Sequence, residues 1–311
     1  MAMFGCNDNT KTDAQATTPN VETQSSTENN KTVIKVAYLP ITHALPVLEE
    51  ADLINNDPNS NVKVELIRYG SWPELLDALN TGNVDAASVL VELAIKAKEQ
   101  GIDLKALALG HTDGNVLVVD NEIQDASQLK GKTIAIPHRQ SSHYLLVIEA
   151  LARANLTIDD VNIVEIAPTE MPSALASKQI SAYCVAEPFG AKSVSLNIGK
   201  VLFTSQELWP HSICCALVFN NLFLKNHPEL AKEFIRKYHE SAHALENKEH
   251  ALEVASKKFK QDKATLEQSL AWISFDNLQI TEENYQKLSE RIINAKLSDK
   301  VPEYKDFVVN D

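Results

Sequence analysis

From Val33 onward, apolar residues fall into short runs divided by polar turns, and the period switches repeatedly between strand-like and helix-like. Val33-Ile34-Lys35-Val36-Ala37-Tyr38-Leu39-Pro40 reads as a buried strand, and Leu45, Val47, Leu48 and Leu53 follow at helical spacing. Val62, Val64 and Leu66 alternate as a second strand that runs to Tyr69. Ser71-Trp72-Pro73-Glu74 then has capping-box spacing, with Ser71 as N-cap and Glu74 three positions on, and opens a helix that stops at Gly82. A strand over 84–91, a helix over 92–100 and a strand over 104–109 complete the unit. Strands separated by helices imply a mainly parallel sheet with helices on both faces.

The alternation restarts at Gly131. Strands are expected over 131–137, 161–166, 182–186 and 201–203, with helices over 142–154, 171–178 and 189–198 between them. Residues 214–219 read as a strand that returns to the first unit. From His227 the chain is helical, with Pro228 in the first turn and Phe234, Tyr238, Ala242 and Leu245 on one face. The expected fold class is α/β, two doubly wound lobes around a cleft that the chain crosses twice. Lobe 1 takes 33–115 and 214–311, and lobe 2 takes 116–213. No internal repeat is visible between them.

The first 32 residues differ in kind. Asn7 to Thr32 is almost entirely polar and cannot offset its ordering entropy, so it is expected to stay disordered. As a flexible coil of roughly 25 residues it would reach on the order of 25–30 Å. Met3-Phe4-Gly5-Cys6 ahead of it resembles the end of a bacterial lipobox. Together they suggest a lipid-bearing Cys6 and a tether, hence an extracytoplasmic, lipid-anchored protein. The plainer reading is an expression scar followed by a ragged start. Composition adds exclusions: a net charge of −13 argues against nucleic acid as a partner. No apolar run approaches the roughly 20 residues that span a bilayer.

Several segments carry a family resemblance. Asp125 to Lys132 (DASQLKGK) with Thr133 to Pro137, Ala182 to Phe189 (AYCVAEPF), and Asp85-Ala86-Ala87 after Gly82-Asn83 are similar to the nitrate/sulfonate/taurine group of ABC substrate-binding proteins. The resemblance spans about 33–300. It implies a type II periplasmic-binding-protein fold with a two-segment hinge, a small-molecule ligand, and docking of the closed form on ABC permease subunits. The same fold family includes pyrimidine-precursor proteins of thiamine synthesis, some of them enzymes, which keeps a pyrimidine-binding or synthase-like role as an alternative. A monomer without a cofactor is expected.

Ligands of open parallel sheets sit beyond the carboxyl ends of the strands. The loops there hold Thr42 and His43, Gly70, Ser71 and Trp72, Leu90 and Glu92, and Gly110 and His111 in lobe 1. In lobe 2 they hold His138, Arg139, Gln140, Ser141, Ser142 and His143, then Glu187, with Trp209 and His211 just before the return crossing. Serines and unpaired N–H groups at a helix start suit an oxyanion, and Arg139 could add a bidentate grip. The plain alternatives are a solvated loop whose Ser142 caps the helix, core packing for Trp72, and a structural acid for Glu187.

Five of the nine histidines fall in these loops, and Cys184 and the vicinal Cys214-Cys215 lie near them. Imidazole with thiolate suggests a soft or transition metal, with His143, His211, Cys184, Cys214 and Cys215 as the alternative ligand set. No spacing matches a metal template, so the first expectation is no metal. If Cys214 and Cys215 both lie on a strand, their side chains point to opposite faces. A disulfide from Cys184 to one of them is geometrically more plausible than one between neighbours. Nothing resembles a nucleophile elbow, a P-loop or a dinucleotide fingerprint, so a binding protein is favoured over an enzyme.

Overall fold

The computed structural model describes residues 31–309; Cys6 and nearly all of the expected tether lie outside them. Along the chain come β1 (Thr32–Tyr38), α1 (Leu45–Asn56), β2 (Val62–Arg68), α2 (Trp72–Asn80), β3 (Ala86–Leu90), α3 (Val91–Glu99) and β4 (Leu104–Leu109). A two-residue strand β5 (Thr112–Asp113) precedes β6 (Asn115–Asp120), β7 (Thr133–Ile136), α4 (Ser142–Ala152), β8 (Asn162–Glu165) and α5 (Met171–Ala176). Then follow β9 (Ala182–Ala186), α6 (Phe189–Ser195), β10 (Gly199–Thr204), α7 (Ser205–Leu208) and β11 (Cys215–Asn220). The chain ends in α8 (Asn221–Asn226), α9 (Pro228–Leu245), α10 (Lys248–Lys258), α11 (Lys263–Ala271), β12 (Ile273–Ser274), α12 (Glu282–Asn294) and α13 (Tyr304–Phe307).

Two five-stranded sheets result, ordered β2-β1-β3-β11-β4 and β8-β7-β9-β6-β10. In each, four strands run parallel and one antiparallel strand, β11 or β6, is inserted beside the third and fourth. The two lobes therefore repeat one topology that no residue-level similarity betrays. The inserted strand of each sheet is the one the chain enters on crossing from the other lobe. The strand β6 has no counterpart among the expected elements, although its run Val116-Leu117-Val118-Val119 is fully buried. Helices cover both faces, so β3 and β9 are buried along their whole length.

The two crossings are bonded to each other. Thr112 pairs with Ile213, Asp113 N–H donates to the Ser212 carbonyl at 3.0 Å, and β5 also pairs with β12. The C-terminal helices grip both lobes. Ser241 of α9 donates to the Pro46 carbonyl of α1 at 2.7 Å, while Thr265 of α11 donates to Ser195 of α6 at 3.0 Å.

One local expectation fails. Ser71 has N-cap backbone geometry at the start of α2, but its side chain makes no capping bond. Proline at the second helical position removes one of the two N–H groups an N-cap oxygen can reach.

Candidate functional site

The loop after β1 carries His43 under the first crossing. Its Nε2 donates to the Gly114 carbonyl at 3.0 Å, which leaves Nδ1 bare and 3.7 Å from Cys215 Sγ. Gly114 has φ +79, the left-handed region, which turns its carbonyl toward the ring. Gly110, on the same crossing, makes a close approach possible: a Cβ there would lie 2.9 Å from the His43 carbonyl and 3.3 Å from Cys215 Cβ. The next residue, His111, lays its ring against His43, with centroids 3.5 Å apart. Cys214 and Cys215 come in on the return crossing with their sulfurs 3.8 Å apart. Both sulfurs can point inward because β11 begins at Cys215, so Cys214 sits before the pleat and the opposite-face expectation does not apply.

One nitrogen each from His43 and His111 and the sulfurs of Cys214 and Cys215 all lie within 4.8 Å of one another, and all four residues are buried. His143, in the first turn of α4, is a fully buried imidazole of lobe 2. Neither ring nitrogen of His111 or of His143 has a hydrogen-bond partner, and the Ser142 hydroxyl and Glu92 carboxylate are likewise buried and unpaired. A buried polar group without a partner costs about 1–3 kcal/mol, so such a concentration marks a place built for something else to bind.

Burial sets the protonation states. It pulls His111 down to about 4, helped by the adjacent His43 ring, and pulls His143 down to about 4. Both imidazoles are therefore neutral at pH 7 and present lone pairs. Burial opposes ionisation of both thiols. The hydrogen bond between the two sulfurs favours a thiolate at Cys214, which is held below its ordinary value, while Cys215 is held above. Burial, with the Cys214 sulfur beside it, also raises Glu92.

The other expected residues divide. Thr42 is buried, its N–H and hydroxyl both donating to the Glu187 carbonyl, a direct bond between lobes. Glu187 is fully buried, accepts the Ala191 N–H at 3.1 Å, and is pushed up to about 8 by burial. Leu90 pairs with Cys215 across the sheet, and Trp72 is buried with its indole N–H unpaired. Cys184 is a buried free thiol, as are Cys214 and Cys215. His211 is exposed, and the buried cluster that the structure assembles is His43, His111, Cys214 and Cys215, sharing only the two vicinal cysteines with the alternative ligand set.

The His138–His143 loop is less uniform than expected. Arg139 is exposed, and one N–H of its guanidinium donates to the Ile163 carbonyl at 3.4 Å. Gln140 donates to the Leu297 carbonyl at 2.8 Å, and half-buried His138 accepts from the Gln140 N–H. The helix cap is Ser141, which accepts from Tyr144 N–H at 3.2 Å, not Ser142. Trp209 packs under the Arg291 guanidinium, 4.4 Å from its ring. Gly114 and Asn115, whose Oδ1 lies 3.9 Å from Cys214 Sγ, were not among the expected loop residues, whereas Glu92 and Gly110 lie in loops where ligand contacts were expected. For Gly114 and Asn115 the only signal in the sequence was proximity to the crossing.

Two sheets of one topology, joined by paired crossings over a buried polar centre, define a type II periplasmic-binding-protein fold. The chain belongs to the NMT1-like family, whose model matches residues 27–257. It is similar to the ligand-binding component of an ABC-type import system from Staphylococcus aureus with zinc bound, at 35% identity and TM-score 0.87, over 90% of this chain and 97% of that one. The alkanesulfonate-binding protein from Xanthomonas axonopodis pv. citri bound to MOPS shares the fold at 17% identity and TM-score 0.79, over 91% and 99%. A putative ABC transporter periplasmic binding protein from Brachyspira hyodysenteriae is 28% identical over 201 residues, 58% of this chain and 57% of the relative. The chain thus spans little more than half the length of that curated relative, and 30% of a bicarbonate transport ATP-binding protein from Synechocystis.

Proposed function

We propose that this chain is the extracytoplasmic solute-binding component of an ABC importer, a receptor and not an enzyme, which captures its ligand by closing two lobes on the His and Cys centre. The observation that carries this reading is the origin of the centre. His43 comes from lobe 1, His111 and Cys214 from the two crossings, and His143 from lobe 2. Contacts drawn from both lobes exist together only in the closed state, so a ligand that makes them shifts the population toward closure. Family membership and the ABC-import neighbours support the importer role, with permease and ATPase subunits as partners and a lipid on Cys6 as the anchor of a monomer.

Two ligand classes have support: sulfonates, from the Xanthomonas neighbour, and a metal ion, from the zinc-bound staphylococcal one. An anion in a dry site needs fixed cationic or N–H donors. The centre offers imidazoles, thiols and a carboxyl, which favours the second class.

The test is small-angle scattering and thermal shift of the purified full chain against nitrate, bicarbonate, alkanesulfonates and divalent metal salts. A ligand is expected to raise the melting temperature and contract the molecule, and His143→Ala to weaken that ligand at least about tenfold, 1.4 kcal/mol. If no compound compacts the protein, the receptor reading fails.

A further inference from the structure

We propose that His43, His111, Cys214 and Cys215 form a tetrahedral site for one thiophilic divalent cation of the zinc class, and that this cation is the ligand on which the lobes close. The inference rests on the receptor reading and names its substrate class.

Geometry is the first argument. A tetrahedral ion with metal–sulfur bonds of about 2.3 Å separates its two sulfurs by about 3.8 Å, and a sulfur from an imidazole nitrogen by about 3.6 Å. The Cys214–Cys215 sulfurs are 3.8 Å apart, and Cys215 Sγ is 3.7 Å from His43 Nδ1. Two of the six edges of the cluster thus have the lengths of a coordination tetrahedron, and all four donor atoms lie within 4.8 Å of one another.

The second argument is the support around the donors. A metal-bound imidazole characteristically donates its other N–H to a carbonyl or carboxylate, which fixes its tautomer. His43 does this through Nε2 to Gly114. His111 carries two buried nitrogens with no partner, and ligation would satisfy one of them.

Chemistry then selects the ion. Hard cations take oxygen ligands, whereas two thiolates and two imidazoles match zinc and other borderline or soft ions. On binding, each thiol gives its proton to solvent, so two thiolates neutralise the double positive charge inside the protein. His143 is not one of the four donors; it lies buried at the start of α4 in lobe 2 with neither ring nitrogen partnered.

Cobalt and zinc test this on the full chain, stripped with chelator under reductant. Cobalt(II) is expected to bind at one ion per chain with the intense visible bands of tetrahedral coordination and a thiolate-to-cobalt charge-transfer band, and zinc(II) to displace it. Cys214→Ser, Cys215→Ser and His111→Ala should each weaken zinc at least about 100-fold and reduce or shift those bands. A pale octahedral cobalt spectrum without the sulfur band in the wild type overturns the site, whatever the variants do. So does unchanged zinc affinity in a folded Cys214→Ser/Cys215→Ser protein. If an alkanesulfonate or nitrate compacts the molecule and zinc does not, the cation inference falls and the receptor reading stands. If cobalt binds through thiolate without compaction, the site stands and the receptor reading falls.

Discussion

Glu187 shows how a single residue can hold the closed form and report on it. Its backbone carbonyl accepts from Thr42 of lobe 1, and its carboxyl is buried in lobe 2 with the Ala191 N–H. With burial raising it to about 8 from an ordinary value near 4.5, the folded state binds a proton that the unfolded state releases. Its contribution is therefore full below pH 4.5 and is lost as pH rises through 8, at about 1.4 kcal/mol per pH unit between those values. Glu187→Gln, which cannot ionise, should show a flatter fall in denaturant midpoint from pH 5 to pH 8. Parallel curves for the two proteins would mean that the carboxylate is ionised in the fold. Residue type and loop position are what made the imidazoles and thiols candidates in the sequence. Arg139 and His211 are exposed, which the sequence did not announce, since residue type says nothing about which way a loop side chain turns.

At the level of elements, α4 decides where Ser142 and His143 sit. Its N-cap is Ser141, whose extended backbone (φ −157) and side-chain bond to Tyr144 N–H start the helix so that the next two residues are buried. Ser141→Ala is expected to cost about 1 kcal/mol in chemical denaturation, with Ser141→Asp restoring most of it. Equal loss in both variants would point to packing, not capping. Strand and helix types were largely readable because their periods differ. The miss at β6 is instructive: all six of its residues are buried, so it lacks the alternation that marks a half-exposed strand. The pairing β6-β9 and β3-β11, which brings the crossings into each sheet, leaves no trace in local pattern.

Across the whole molecule, the C-terminal helices act as a strap over both lobes. Arg291 of α12 reaches Glu149 of α4 at 3.2 Å and stacks on Trp209, and Gln140 bonds the Leu297 carbonyl beyond the helix. Both members of the ion pair are about one-third exposed, so solvent screening limits the pair to at most about 1 kcal/mol, with a similar amount from the stacking. That is enough to bias an equilibrium between open and closed forms that lie close in free energy. Arg291→Ala should make the unliganded protein measurably more extended in small-angle scattering while leaving its circular dichroism unchanged. An unaltered profile would show that the strap does not contribute to closure.

Period, polarity and residue type are properties of a chain read a few positions at a time, and they were sufficient for the α/β class. The meeting of His43 with Cys215, 172 positions apart, could not be read that way. It depends on β11 inserting between β3 and β4, on Gly110 letting two backbones approach, and on β11 starting one residue late so that both sulfurs face inward. Those are outcomes of long-range packing, in which the burial of two sheets selects one register, and only the folded chain carries them.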